Sequence, residues 1–108
     1  MTAKLDPKER QQQILDAAVS EAARVGFTNI QRADIAAKLE ISTGLINRYF
    51  STMTVLKRDV MRSAVVRLKK DATDKDALAV LAQGVVLKDR QALKAPENLR
   101  NAALKMAA

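Results

Sequence analysis

The stretch "DIAAKLEISTGLINRYF", residues 34–50, decides the fold. Ile35, Ala36 and Leu39 repeat at helical spacing, the pattern breaks at Glu40-Ile41-Ser42, and a second short segment restarts behind Ser42 as an N-cap. This predicts two short helices, about Arg32 to Leu39 and Thr43 to Tyr49, crossing at a tight turn. Ala36 is small enough for the close helix–helix approach, and Leu39, Ile41 and Ile46 provide core aliphatics before, within and after the turn. Asp34 falls in the first turn of its helix, where a carboxylate suits the dipole. What remains outward on the second helix is Thr43, Gly44, Leu45, Asn47 and Arg48, bounded by Tyr49.

The flanks extend the same all-helical reading. Asp6-Pro7-Lys8-Glu9 offers a cap carboxylate, a proline at the first helical position and an acid three residues after the cap. Ile14, Leu15, Ala18, Val19, Ala22 and Val25 then line one helical face, Gly26 is placed for a left-handed cap, and Phe27 follows as a core plug. Thr52 caps a longer helix from about Met53 to Lys70, with Leu56, Val60 and Ala64 on one flank and Met61, Val65 and Leu68 on another. Two apolar flanks imply two packing partners. Thr73-Asp74-Lys75-Asp76 reads as a capping box opening a fifth helix that ends at Gly84. Pro96 ends one helix and is placed to begin another, on which Leu99, Ala103 and Met106 form a thin apolar stripe. The expected fold is all-α: a three-helix helix-turn-helix head, a long fourth helix and a short helical extension. The expected division is a head over residues 1–52 and a connector and dimerisation extension over 53–108, together one compact unit.

Composition narrows the chemistry. The 108 residues contain no Cys and no His, which removes disulfides, thiolate catalysis, imidazole acid–base chemistry and ordinary zinc sites. No cofactor or metal is expected. The acids are scattered over helix starts and surfaces rather than paired, so no enzymatic activity is expected either. The polar opening "MTAKLDPKERQQQ" lacks the apolar core of a signal peptide, and no apolar run approaches a membrane span, so a bacterial cytoplasmic setting, nucleoid- or plasmid-associated, is the expectation. The formal net charge is +7. Residues 1–70 carry 13 Lys and Arg against 7 acids, whereas residues 71–108 carry 6 against 5. The excess therefore sits where the two short helices lie and suggests a polyanionic partner, against the alternative of a protein that is merely basic.

The outward residues suit a DNA major groove. Arg bonds a guanine edge in bidentate fashion, Asn pairs with adenine, and Leu or Thr touches a thymine methyl. Gly44 removes bulk, allowing backbone to come close to bases or phosphates. Ser42 at the helix start and the Tyr49 hydroxyl are phosphate-binding candidates. Each has a plainer reading: Leu45 as a buried residue, Arg48 as a solvated cation, and Tyr49 as the closure of the core.

Residues 14 to about 60 resemble the DNA-binding head of TetR-type bacterial repressors. The resemblance is carried by Ile14-Leu15-x-Ala17-Ala18, Gly26-Phe27, Asp34-Ile35-Ala36, Ser42-x-Gly44, and Phe50 followed by Leu56. The tail, with "AQGVV" and "ALKAPENLRNAAL", looks like the extension of small plasmid- and phage-borne repressors of the KorC type. Some positions depart from the TetR pattern. Glu40 stands at the turn where the family usually has Gly, at a cost of roughly 1 kcal/mol for a left-handed non-glycine. Gln31 replaces the usual Thr or Ser cap, Asn47 the common Tyr, Tyr49 the common His, and Met53 a Lys that would meet phosphate. Lys57 or Arg58 is the substitute for that lysine.

The resemblance implies a sequence-specific repressor that meets a double-stranded DNA operator through residues 43–49. Thr43, Gly44, Leu45, Asn47 and Arg48 are the base-contacting candidates; Gln31, Arg32, Ser42, Tyr49 and Lys57 are the phosphate-contacting ones. One short helix reads too few bases alone, so a homodimer on a palindromic operator is expected. The 38 residues after Lys70 offer little room for a ligand pocket, and no small-molecule inducer is expected. A helix-turn-helix used as a protein-interaction module is the alternative.

Overall fold

The computed structural model describes residues 5–107, so the first four residues of the polar N-terminal stretch lie outside the described residues. Among the described residues the fold is all-helical: α1 (Pro7–Val25), a 3-10 turn (Phe27–Asn29), α2 (Arg32–Leu39), α3 (Thr43–Tyr49), α4 (Met53–Lys70), α5 (Lys75–Val86), α6 (Arg90–Leu93) and α7 (Glu97–Ala107). Three of the first four helices, α1, α3 and α4, start where a side-chain cap places them. Asp6 accepts from the Glu9 N–H, Ser42 from the Leu45 N–H and Thr52 from the Val55 N–H. Each supplies an acceptor for one of the donors that a helix start leaves unpaired.

One core runs through the described chain. Ile14, Val19, Ile35, Ile46, Phe50, Leu56, Val60, Met61, Leu68, Val80 and Leu81 are fully buried within it. Side chains of this size each stabilise the fold by about 1.5–3 kcal/mol when withdrawn from water. Both flanks of α4 are used, since it packs against α1 and also against α5 and α6. The long helix is the spine between the head and the tail.

Four local expectations need correction. Gly26 does take a positive φ of 105°, but its ψ of 139° sends the chain out extended rather than into a left-handed cap. The Asn29 side chain donates instead to the Val25 carbonyl at 2.8 Å and closes the end of α1. The cap of α5 is Asp74, not Thr73. The Thr73 hydroxyl and N–H both go to Asp71, while the Asp74 carboxylate accepts from the Ala77 N–H at 3.1 Å. The helix also continues through Gly84 to Val86. Its end is made by Lys88 at φ 59°, with the Asp89 N–H returning to the Gly84 carbonyl and the Lys88 N–H to that of Val85, a Schellman closure. Finally, Leu99 and Ala103 are buried as expected, but Met106 is 52% exposed.

Met106 is exposed because α5 and α7 leave a groove between them. Its volume is about 540 Å³, and Leu78, Ala82, Gln83, Val86, Ala103 and Met106 are among its lining residues. That is more open apolar space than the tail's length suggests. Val86 is 72% exposed on its rim.

Candidate nucleic-acid interface

The helix turn between α2 and α3 takes the shape its sequence predicts, with a non-glycine at its tightest point. Glu40 has φ 57° and ψ 43°, the left-handed conformation. Its N–H bonds to the Ala37 carbonyl, and the Ile41 N–H returns to Ala36 at 3.0 Å. The same Schellman pattern that closes α5 therefore closes α2, and the backbone bonds hold Glu40 against its steric preference. Ala36 is buried at this crossing, while Leu39 and Ile41 are half-buried and pack against the core's edge.

From that turn α3 projects as a helix of seven residues. Ile46 and Phe50 are both fully buried behind it. Ser42, Thr43, Gly44, Asn47 and Arg48 are exposed. Leu45 and Tyr49, one helical turn apart, are half-buried along the flank, and Tyr49 packs against the core. One helix thus brings Thr43, Gly44, Asn47 and Arg48 to solvent together.

Two details give this surface a chemical character. Arg48 has no ion-pair partner among the described residues, so its guanidinium fork is uncommitted. At Gly44 a Cβ would meet nothing nearer than the Ser42 hydroxyl at 3.8 Å. The fold does not need a glycine there, although glycine weakens a helix by about 1 kcal/mol relative to Ala. The bare backbone at Gly44 suits an approach from outside the chain.

The phosphate candidates divide between two places. Ser42 stands at the start of α3; its oxygen accepts from the Leu45 N–H at 3.1 Å, leaving its own O–H to donate. Gln31 and Arg32 stand at the start of α2. Gln31 makes no side-chain cap bond there and is exposed. Arg32 is half-buried, and its Nε is buried with no hydrogen-bond partner among the described residues. Lys57, on α4, belongs with this second group, because its Nζ lies 3.4 Å from the carbonyl of Thr28, just ahead of α2. Arg58, its alternative, is engaged with Asp59 at 3.2 Å. Thr28 itself is exposed beside Lys57 and joins the candidates; a lone threonine in a turn gives no signal in sequence.

Against this geometry the comparisons with known proteins are informative. Residues 14–60 match the model for bacterial regulatory proteins, tetR family. The match starts in α1 and ends in α4, a little under half the chain, and it contains every candidate contact residue. It supports a TetR-type helix-turn-helix DNA-binding head, and with it a DNA-binding transcription regulator. Helices α5 to α7 lie outside the matched span. No curated protein matches the chain. No helix among the described residues is long and apolar enough to cross a membrane.

Proposed function

We propose that this chain is a sequence-specific transcriptional repressor that binds a palindromic operator as a homodimer, without a small-molecule inducer. The observation that carries the reading is the outer face of α3, where Thr43, Gly44, Asn47 and the uncommitted Arg48 are presented together on a helix held from behind by Ile46 and Phe50. The TetR-type match over the same residues adds to it. In the working arrangement α3 lies in the major groove. Arg48 reads a guanine, Asn47 an adenine, and Thr43 and Leu45 a thymine methyl; Gly44 admits close backbone approach. Ser42, Tyr49, Gln31, Arg32 and Lys57 hold the flanking phosphates and set the register of the helix.

Pairing is assigned to the α5–α7 side, where the open groove and the exposed Val86, Leu87 and Met106 form an apolar face. A second copy seated there sets two α3 helices against half-sites about one turn of DNA apart. The KorC-like extension, and with it a plasmid or phage origin, fits a repressor regulated by its own abundance.

Selection of bound sequences from random duplex DNA tests this directly. A palindromic winner is expected, and Arg48→Ala should weaken binding to it by about 1–3 kcal/mol while relaxing preference at one base pair of each half-site. Binding that is weak and indifferent to sequence would instead favour the protein-interaction module.

A further inference from the structure

The turn from α1 into α2 is fastened from the tail by one side chain. Gln83 on α5 reaches the α1 end across the core: its Oε1 accepts from the Phe27 N–H, and its Nε2 donates to the Ala22 carbonyl at 3.3 Å. The Phe27 N–H opens the 3-10 turn, and the Ala22 carbonyl belongs to the last turn of α1. The amide therefore clips together two backbone sites of the junction that leads to the start of α2. Among the described residues no other hydrogen bond joins α5, α6 or α7 to residues 5–50. Lys57 approaches the next carbonyl, that of Thr28, from α4.

Gln83 also lines the groove between α5 and α7, where its neighbours along α5 are Ala79, Ala82 and Val86. The same side chain is thus at the wall of the tail's apolar face and at the hinge of the head. We propose that Gln83 is a positioning residue that couples the seating of a second copy in the α5–α7 groove to the pose of α2 and α3. Filling the groove displaces the Gln83 amide, the amide moves the Phe27 N–H and Ala22 carbonyl it holds, and the start of α2 follows. The glutamine is explained by the Phe27 N–H, two residues past the end of α1, which it supplies with an acceptor; its amide nitrogen then adds a second bond to the Ala22 carbonyl, which also accepts from the Gly26 N–H. Its effect on DNA rests on the DNA-binding reading above; its effect on the hinge does not.

The experiment uses the full chain, with Gln83→Met to remove both hydrogen bonds at similar volume and Gln83→Glu to keep the acceptor for the Phe27 N–H. Amide hydrogen exchange at Phe27 and through α2 should rise about tenfold in Gln83→Met, the loss expected for one net hydrogen bond, with α4 and α7 unchanged. Gln83→Glu should recover most of the protection at Phe27. A uniform rise across all helices, or no rise at Phe27, would overturn the positioning role. Coupling is read with Ala79→Trp, which fills the groove. It should shift the Phe27 amide resonance in the Gln83 protein and leave it in place in the Gln83→Met background; equal shifts in both backgrounds overturn the coupling. Affinity for the selected operator should fall about tenfold in Gln83→Met under conditions where the protein is fully folded. If the exchange results hold and the parent protein selects no operator, the DNA reading fails and the hinge assignment stands.

Discussion

Within the helix-turn-helix, Gly44 and Glu40 are residues at which local preference and observed structure disagree, and they disagree for different reasons. Glu40 accepts a left-handed backbone because the Schellman bonds of α2 require that conformation where α2 and α3 cross. The constraint is internal to the fold. Gly44 has no such internal cause: it sits in a helix with ordinary space for a methyl group. Gly44→Ala should therefore raise stability by about 0.5–1 kcal/mol, since helical alanine is favoured over glycine. If the backbone at Gly44 meets DNA, the same change should weaken operator binding. Urea unfolding and operator titration of one variant check both signs, and a stabilised variant with full affinity would remove Gly44 from the interface. Ser42, Ile46 and Phe50 were legible in sequence because an N-cap and large apolar residues at helical spacing have few alternatives. Leu45 and Tyr49 were not, because half-burial depends on the exact roll of α3 against α2, which no local pattern sets.

At the scale of elements, the helix bounds of the head were legible, although not the way α1 closes at Gly26, and the tail was legible only in outline. The bounds of α2, α3 and α4 follow from Asp34, Ser42 and Thr52, whose capping or dipole roles are local. The α5 start was misread because Thr73-x-x-Asp76 and Asp74 compete for the cap, and a contact from α4 decides between them. Arg67 bonds both Asp74 oxygens, at 2.8 and 3.1 Å, and so fixes the carboxylate over the Ala77 N–H. The Arg67 guanidinium, with the Ala77 N–H, holds the Asp74 carboxyl below its ordinary value of 3.8 against a smaller opposing effect of burial. Because the folded value is depressed, this stabilisation is complete above the unfolded carboxyl range and is lost as pH falls through the folded value. The stability difference between the parent chain and Asp74→Asn should thus be constant near neutrality and shrink below about pH 4. Denaturant titrations at pH 7, 4 and 3 measure it; a difference independent of pH would mean that the charge is not what holds the cap.

The end of α5 was misread for a related reason: Gly84 looks like a stop signal and is instead a close-packing site. A Cβ there would lie 2.6 Å from the Ala92 Cβ and also collide with the end of Met61. Met61 can move, but Ala92 moves only with the backbone of α6. Gly84→Ala should cost about 1–3 kcal/mol of stability through overpacking, more than alanine's helical preference returns. A urea midpoint equal to or above that of the parent would show that α6 gives way freely.

For the molecule as a whole, the question is what the apolar side of the tail does. The core is continuous from α1 to α7, so the head is not a bead on a tether; α4 and α5 hold it directly. Burying Leu78, Ala82 and Ala103 against this core leaves Val86, Leu87 and Met106 turned outward around the groove. Three exposed large apolar residues side by side are more than scattered surface hydrophobics, and contiguous apolar patches on small proteins mark interaction sites. The sequence pattern put Met106 in a thin apolar stripe with Leu99 and Ala103, because periodicity reports that a face is apolar and not which molecule covers it. If a second copy covers it, Val86→Lys is a selective disruption. At 72% exposure this side chain contributes little to the fold of one subunit, so the variant should unfold at the same denaturant concentration when dilute. In the dimer two lysines would be desolvated against an apolar face, and sedimentation should show a monomer at concentrations where the parent is paired. Operator binding should weaken with it, because each α3 would then hold one half-site without its partner. A Val86→Lys protein that sediments as the parent does, or that binds the palindrome with undiminished affinity, would place the pairing surface elsewhere on the chain.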